Sequence, residues 1–166
     1  MIDRFIELET AIGYSFIDRR LLGQALVHAS ANVSPQEVRE GGRLSWLGDA
    51  ILQMVVSETL FETHGEATRE ELHKMRERLT ENTTIGRVGK GLGIEDAARI
   101  GASLEENLEA SDRHKMVAGM LEGVLAAVYR DGGIDAARTV AQQILRKDLT
   151  EAAEQSALSR HGSSEL

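Results

Sequence analysis

The sequence contains no cysteine and a single proline, Pro35, among its 166 residues. The first absence excludes a disulfide framework and any thiolate zinc site, and makes a cytoplasmic compartment the simplest reading. The second removes the residue most hostile to helix interiors, while Ala, Leu, Glu and Arg, which lose least on entering a helix, dominate what remains. An all-helical fold is therefore expected. Acidic residues follow Met1 at once, and 1–12 lacks an apolar run of the length a signal peptide needs. No stretch approaches the length of a membrane span either, so no membrane partner is expected. Cationic charge is also in deficit, with 19 Lys and Arg against 27 Asp and Glu and a formal net charge of −8. Taken alone, that balance argues against a nucleic-acid binder, because neutralising phosphates takes Lys and Arg.

What is present suits one domain of ordinary size, 42% hydrophobic, burying about two-thirds of the surface its unfolded form exposes. Apolar spacing predicts a helix over 2–10, stopped by Gly13, and a second over 19–29 with Asp18 as N-cap. Residues 30–42 gather Asn, Ser, Pro and two glycines and read as a loop. The strongest helix follows over 44–64, where Leu44, Leu47, Ile51 and Val55 recur at three- and four-residue steps. Gly65 stops it, and Thr68 with Glu71 forms the pattern of a capping box opening a helix to about 81. Shorter helices are expected past Asn82 to Gly91 or Gly93 and over 94–99, then a loop to about 111. A second apolar helix, 113–130, carries Met116, Val117, Leu121, Val124 and Val128, and Gly132 and Gly133 separate it from a last helix over 135–147. The expectation is about eight helices around two central apolar ones, a domain over 1–148, and a flexible tail or linker over 149–166.

Two features bear on chemistry. Lys74, Arg76 and Arg78 lie close together, with Arg87 and Lys90 following. They read either as a local basic stripe or as an ordinary solvated helix face, interleaved as they are with Glu70, Glu71 and Glu77. Asp49 lies in the middle of the first central helix and Glu122 in the second, each on an apolar background where an ionised side chain is costly unless it faces water, a cation or a partner. Acids converging from facing helices are how helical folds build divalent-metal sites. A Mg²⁺ ion held there keeps waters, one of which can attack a phosphodiester while the ion stabilises the developing charge. On spacing alone the other reading stays open, that each acid is a solvated or salt-bridged member of an amphipathic helix. Five histidines without a close pair give no metal signal.

The stretch Gly42-Arg43-Leu44-Ser45-Trp46-Leu47-Gly48-Asp49-Ala50-Ile51-Leu52 resembles the ribonuclease III signature N-E-R-L-E-F-L-G-D-A-V-L. Gly13-Tyr14-Ser15-Phe16 with Leu21-Leu22-Gly23-Gln24-Ala25-Leu26-Val27-His28-Ala29-Ser30 resembles the family's opening G-Y-x-F and L-L-x-x-A-L-T-H-x-S. Val117-Ala118-Gly119-Met120-Leu121-Glu122-Gly123 and onward to Tyr129, followed by Asp131-Gly132-Gly133, resembles the later L-A-D-x-x-E-A-L-I-G-A-x-Y. Together these motifs cover about residues 10 to 145.

The resemblance implies the all-α endonuclease-domain fold and a catalytic Mg²⁺ (or Mn²⁺) held by four carboxylates, two from each central helix. Asp49 and Glu122 match one of each pair. Their companions fall on Ser45 and Gly119, and an accessory acid falls on Gly42. With two carboxylates left, the attraction for a divalent ion drops steeply, so metal binding is expected to be weak and cleavage impaired or lost. Glu40, in the preceding loop, or Asp112 could supply a missing acid. Lys115 falls where some eukaryotic relatives place a lysine near the scissile phosphate, and equally fits an ordinary helix-start cation. His28 reads as a structural histidine. Trp46 replaces a phenylalanine that in the family inserts into the second subunit, which implies a homodimer, or a heterodimer with a related subunit. A dimer of this kind engages double-stranded RNA through phosphates and 2′-hydroxyls, with Lys74, Arg76, Arg78 and Lys115 as candidate contacts. Family members commonly carry a separate RNA-binding domain after the nuclease domain, and without one RNA affinity is expected to be weak. Three functions follow: a double-stranded-RNA-binding domain in RNA processing with reduced or no cleavage, an active endoribonuclease leaving 5′-phosphate and 3′-hydroxyl ends, or a helical protein-interaction module, which the acidic net charge favours.

Overall fold

The computed structural model describes residues 3–105 and 107–162. Within them the chain forms α1 (Arg4–Ile12), α2 (Arg19–Ala25), α3 (Pro35–Thr63), α4 (Arg69–Thr80), α5 (Asn82–Leu92), α6 (Ile94–Ala97), α7 (Ala102–Glu105), α8 (Ala110–Ile144) and α9 (Arg146–Gly162). No strand occurs among the described residues, only an isolated bridge between Val27 and Arg99. None of their helices is long and apolar enough to cross a membrane.

Helix boundaries follow local chemistry. Asp3 caps α1 and Gly13, at φ 71°, closes it; Ile2, at the expected start, lies outside the described residues. Asp18 caps α2 through the Arg20 amide. Thr68 and Glu71 form the expected reciprocal box, with Thr68 N donating to Glu71 Oε2 at 2.7 Å and Glu71 N to Thr68 Oγ1 at 3.2 Å.

Several boundaries differ from the sequence reading. The first central helix begins at Pro35, nine residues before position 44, so most of the expected loop over 30–42 is helix. The cause is a second capping box, Ser34 with Glu37, and Pro35 in the first turn, where its missing N–H costs nothing. Gly41 and Gly42 sit inside the helix rather than breaking it, and Glu40 is a helix residue paired with Arg43 at 3.2 Å. Helix α2 ends at Ala25 rather than 29, because the following backbone pairs with the segment after α6: Arg99 N donates to Leu26 O at 2.8 Å and His28 N to Arg99 O at 3.0 Å. The glycine break in α8 narrows to Gly133, at φ 85°, a backbone region that favours glycine. Beyond it, residues expected in a flexible tail form α9, which meets α4 through an Arg78–Gln155 hydrogen bond of 2.7 Å and an Arg160–Glu71 contact of 3.8 Å.

The core lies where α3 and α8 pack together. Ile51, Leu52, Val55, Val56 and Leu60 from α3 meet a run on α8 in which Val117, Ala118, Val124 and Ala126 to Val128 are almost wholly buried. Asp131, in the later part of α8, accepts hydrogen bonds from the Tyr14 hydroxyl and the Ile17 and Asp18 amides at 2.8 to 2.9 Å, which ties the start of α2 to the central pair.

At Gly48 the two central helices touch backbone to backbone. A Cβ there would lie 1.7 Å from the Glu122 carbonyl oxygen and 2.3 Å from its carbon, with no flexible side chain available to give way. Gly48→Ala is therefore expected to lower stability by upward of about 3 kcal/mol, measured by urea unfolding. Near-parental stability would show that the helices separate freely.

Candidate active site

The contact at Gly48 fixes which side chains flank it. Asp49 follows Gly48 on α3 and is exposed; Glu122 hangs from the touching residue of α8 and is partly buried. Burial and the Asp49 charge push the Glu122 carboxyl up to about 7, opposed by a hydrogen bond from Ser45. Ser45 lies one turn before Asp49, and a Cβ on Gly119 would sit 3.2 Å from its Oγ. Asp49, Glu122, Ser45 and Gly119 therefore converge from two helices, as the sequence motifs anticipate.

Ser45 and Gly119 also border an adjoining cavity of about 490 Å³, as do Gly42, His28, Asp112 and Lys115. Lys115 is exposed and makes no hydrogen bond or ion pair among the described residues. The His28 ring is held by Ser30, whose amide donates to Nδ1 at 3.1 Å and whose Oγ lies 2.8 Å from it; that Oγ also accepts from the Gly101 amide at 3.0 Å. Of the two acids considered as substitute ligands, Asp112 borders the cavity, while Glu40 is engaged with Arg43.

The donor set does not fit the four-carboxylate metal site. Among the described residues no group of three or more Asp, Glu, His or Cys side chains is placed to hold an ion. With no cation beside it, burial and the Asp49 charge make the Glu122 carboxyl hold its proton more readily than an ordinary carboxylate.

The basic cluster on α4 divides. Arg76 donates to Ser57 Oγ on α3 at 3.0 Å, whereas Arg78 donates to Gln155 on α9 and borders, with exposed Lys74, the groove between α4 and α9. None of the three lines the cavity beside Glu122. A two-residue step turns about 200° around a helix, so the cluster is no single stripe.

Trp46, the residue expected at a subunit interface, is 78% exposed; Met54 and Phe61 on the same helix, 45% and 73% exposed, carry no such expectation from the sequence. Met54 and Phe61 border a groove of about 790 Å³ between α3 and α4, with Leu72 and Arg76. Its sequence signal was the apolar series at 46, 50, 54 and 61, a second stripe beside the buried one of Ile51 and Val55.

A family model described as Ribonuclease-III-like matches residues 18–149. Among curated proteins, the chain is 36% identical over 147 residues to Ribonuclease 3 of Nitratidesulfovibrio vulgaris, covering 88% of this chain and 58% of that protein. It is 34% identical over 134 residues to Ribonuclease 3 of Caulobacter vibrioides, covering 81% and 58%. The chain thus spans just under three-fifths of the length of these relatives. Two solved structures of the ribonuclease III nuclease domain from Campylobacter jejuni superpose with TM-scores of 0.78 and 0.77 at 27% and 28% identity. They cover 89% and 86% of this chain and are themselves covered to 97% and 96%. The second is described in terms of flexibility in a region involved in dimer formation.

The raised Glu122 carboxyl has a stability signature. The folded protein keeps a proton that the unfolded chain releases, so stability falls as pH rises from about 4.5 to about 7. Glu122→Gln cannot ionise and should remove that loss. Urea unfolding is expected to find the variant about 1 kcal/mol more stable than the parent at pH 8, a value reduced by solvent screening of a half-open site, and less so at pH 5. A constant difference at both pH values would mean that Glu122 titrates normally.

Proposed function

The chain belongs to the ribonuclease-III-like family, and from that premise we propose that it binds double-stranded RNA in RNA processing, in the cytoplasm, with cleavage impaired or lost. One observation carries this reading: where the family places four carboxylates, Asp49 and Glu122 stand beside Ser45 and Gly119. A neutral hydroxyl and a missing side chain leave too little charge to hold Mg²⁺ or Mn²⁺ firmly. Asp49 and Glu122 would hold such an ion in any residual activity.

The domain occupies about 1–148 and works as a homodimer, with a related subunit as the alternative partner. Support comes from exposed Trp46 and the apolar groove bordered by Met54 and Phe61. Burying such aromatic surface against a second copy is a strong drive to association. Lys115, beside the degenerate site, is the leading phosphate contact; exposed Lys74 lies farther away, and Arg76 and Arg78 would first have to leave their present partners. Asp112, bordering the same cavity as Ser45 and Gly119, favours a second reading in which it serves as a third acid and the enzyme cuts duplex RNA.

The test is cleavage of a labelled RNA duplex by purified protein in Mg²⁺ and in Mn²⁺. The parent is expected to leave the duplex intact, and Ser45→Glu/Gly119→Asp to gain metal-dependent cutting. Cutting by the parent that Asp49→Asn, Glu122→Gln and Asp112→Asn each abolish would establish the second reading.

A further inference from the structure

The positions that lost their acids are also walls of the 490 Å³ cavity: Gly42, Ser45 and Gly119 all border it. Its size lies within the range of small-molecule sites, about 300–1,000 Å³. Val27, Leu108, Met116 and Met120 supply apolar surface, and the methionine side chains can adapt to a flat ring. Polar groups converge on the same space. Both the amide and the hydroxyl of Ser30 are directed at His28 Nδ1, which makes that nitrogen an acceptor and leaves Nε2–H as the ring's donor. Burial lowers the His28 pKa and favours this neutral ring. Ser45 adds a hydroxyl, Asp112 an acceptor, and Lys115 an exposed cation with no partner among the described residues.

We infer that this cavity takes up a single nucleotide, its base between the apolar walls and its phosphate at Lys115. Three carboxylates at positions 42, 45 and 119 would fill the space and repel a phosphate; two glycines and a serine do neither. Donors and an acceptor within an apolar slot suit the edge of a heteroaromatic base and not an alkyl chain. Asp112 opposes the phosphate but can accept from a ribose hydroxyl or a base N–H. The nucleotide has two sources: a free mononucleotide, or an unpaired nucleotide swung out of an RNA duplex, the form in which proteins read individual RNA bases. The second source rests on the RNA-binding reading above; the first does not.

The experiment measures binding of the full chain to each of AMP, GMP, CMP and UMP, and to one RNA duplex with and without a single-nucleotide bulge. Labelled Met116 and Met120 methyl groups report occupancy of the cavity by NMR. Gly42→Phe sets a bulky ring at the border of the cavity, where a Cβ meets nothing within 4 Å and the fold can accept it, and replacing a mid-helix glycine does not cost helix propensity. Bulged RNA is expected to bind about tenfold more tightly than the perfect duplex, to shift both methyl signals, and to lose that advantage in Gly42→Phe. Methyl shifts with a mononucleotide alone, abolished by Gly42→Phe, would establish the free source even if no RNA binds. Equal binding of both duplexes with no methyl shift from any nucleotide would overturn the proposal and leave the RNA-binding reading standing.

Discussion

The carbonyl of Glu122 rests on the α-carbon of Gly48, and this contact leaves no room for even one methyl group between α3 and α8. Helices normally pack with axes about 8–10 Å apart, held off by side chains; here a glycine removes the spacer at one point. The buried residues flanking it, Ile51, Leu52, Val55 and Val56 on α3 and Val124 to Val128 on α8, can then close against one another. The same contact sets the register of the two helices and places Asp49, Ser45 and Gly119 around Glu122.

Scaffold and chemistry are separable in this arrangement. The two helices are held together chiefly by apolar burial, the Gly48 approach, and the Arg138–Glu58 and Gln142–Thr59 contacts, none of which involves the charge of Asp49 or Glu122. On the proposed reading, substitution of carboxylates at positions 42, 45 and 119 leaves the packing intact while thinning the ligand set. It also relieves the fold, because four acids in one pocket repel one another without a cation. A trace of that repulsion persists at Glu122, whose carboxyl is raised chiefly by burial and further by the Asp49 charge.

Much of this was legible in the sequence, unevenly. Asp18, Thr68 and Glu71 announce helix starts because their side chains bond backbone groups within three residues, and they do so here. Ser34-Pro35-Gln36-Glu37 carries the same signal, but the glycines at 41 and 42 masked it; Gly41 packs closely against the Val27 and Gln24 carbonyls, and the capped helix runs through both. Helix α9 was missed because few of its residues are apolar and its contacts with α4 are polar side-chain contacts without a short-range pattern. The convergence of Asp49 and Glu122, 73 positions apart, has no periodic signature at all; only the motif resemblance joined them. Spacing along the chain also bunched Lys74, Arg76 and Arg78, which the helix then spreads toward α3 on one side and α9 on the other.

We propose that this fold retains the geometry of a metal-dependent nuclease without the charge to hold its metal. Titration of the protein with Mn²⁺, followed by electron paramagnetic resonance of the free ion, measures that directly. Binding no tighter than roughly millimolar is predicted, as expected of two carboxylates where the motif places four. A saturable micromolar site that disappears in Asp49→Asn would contradict it.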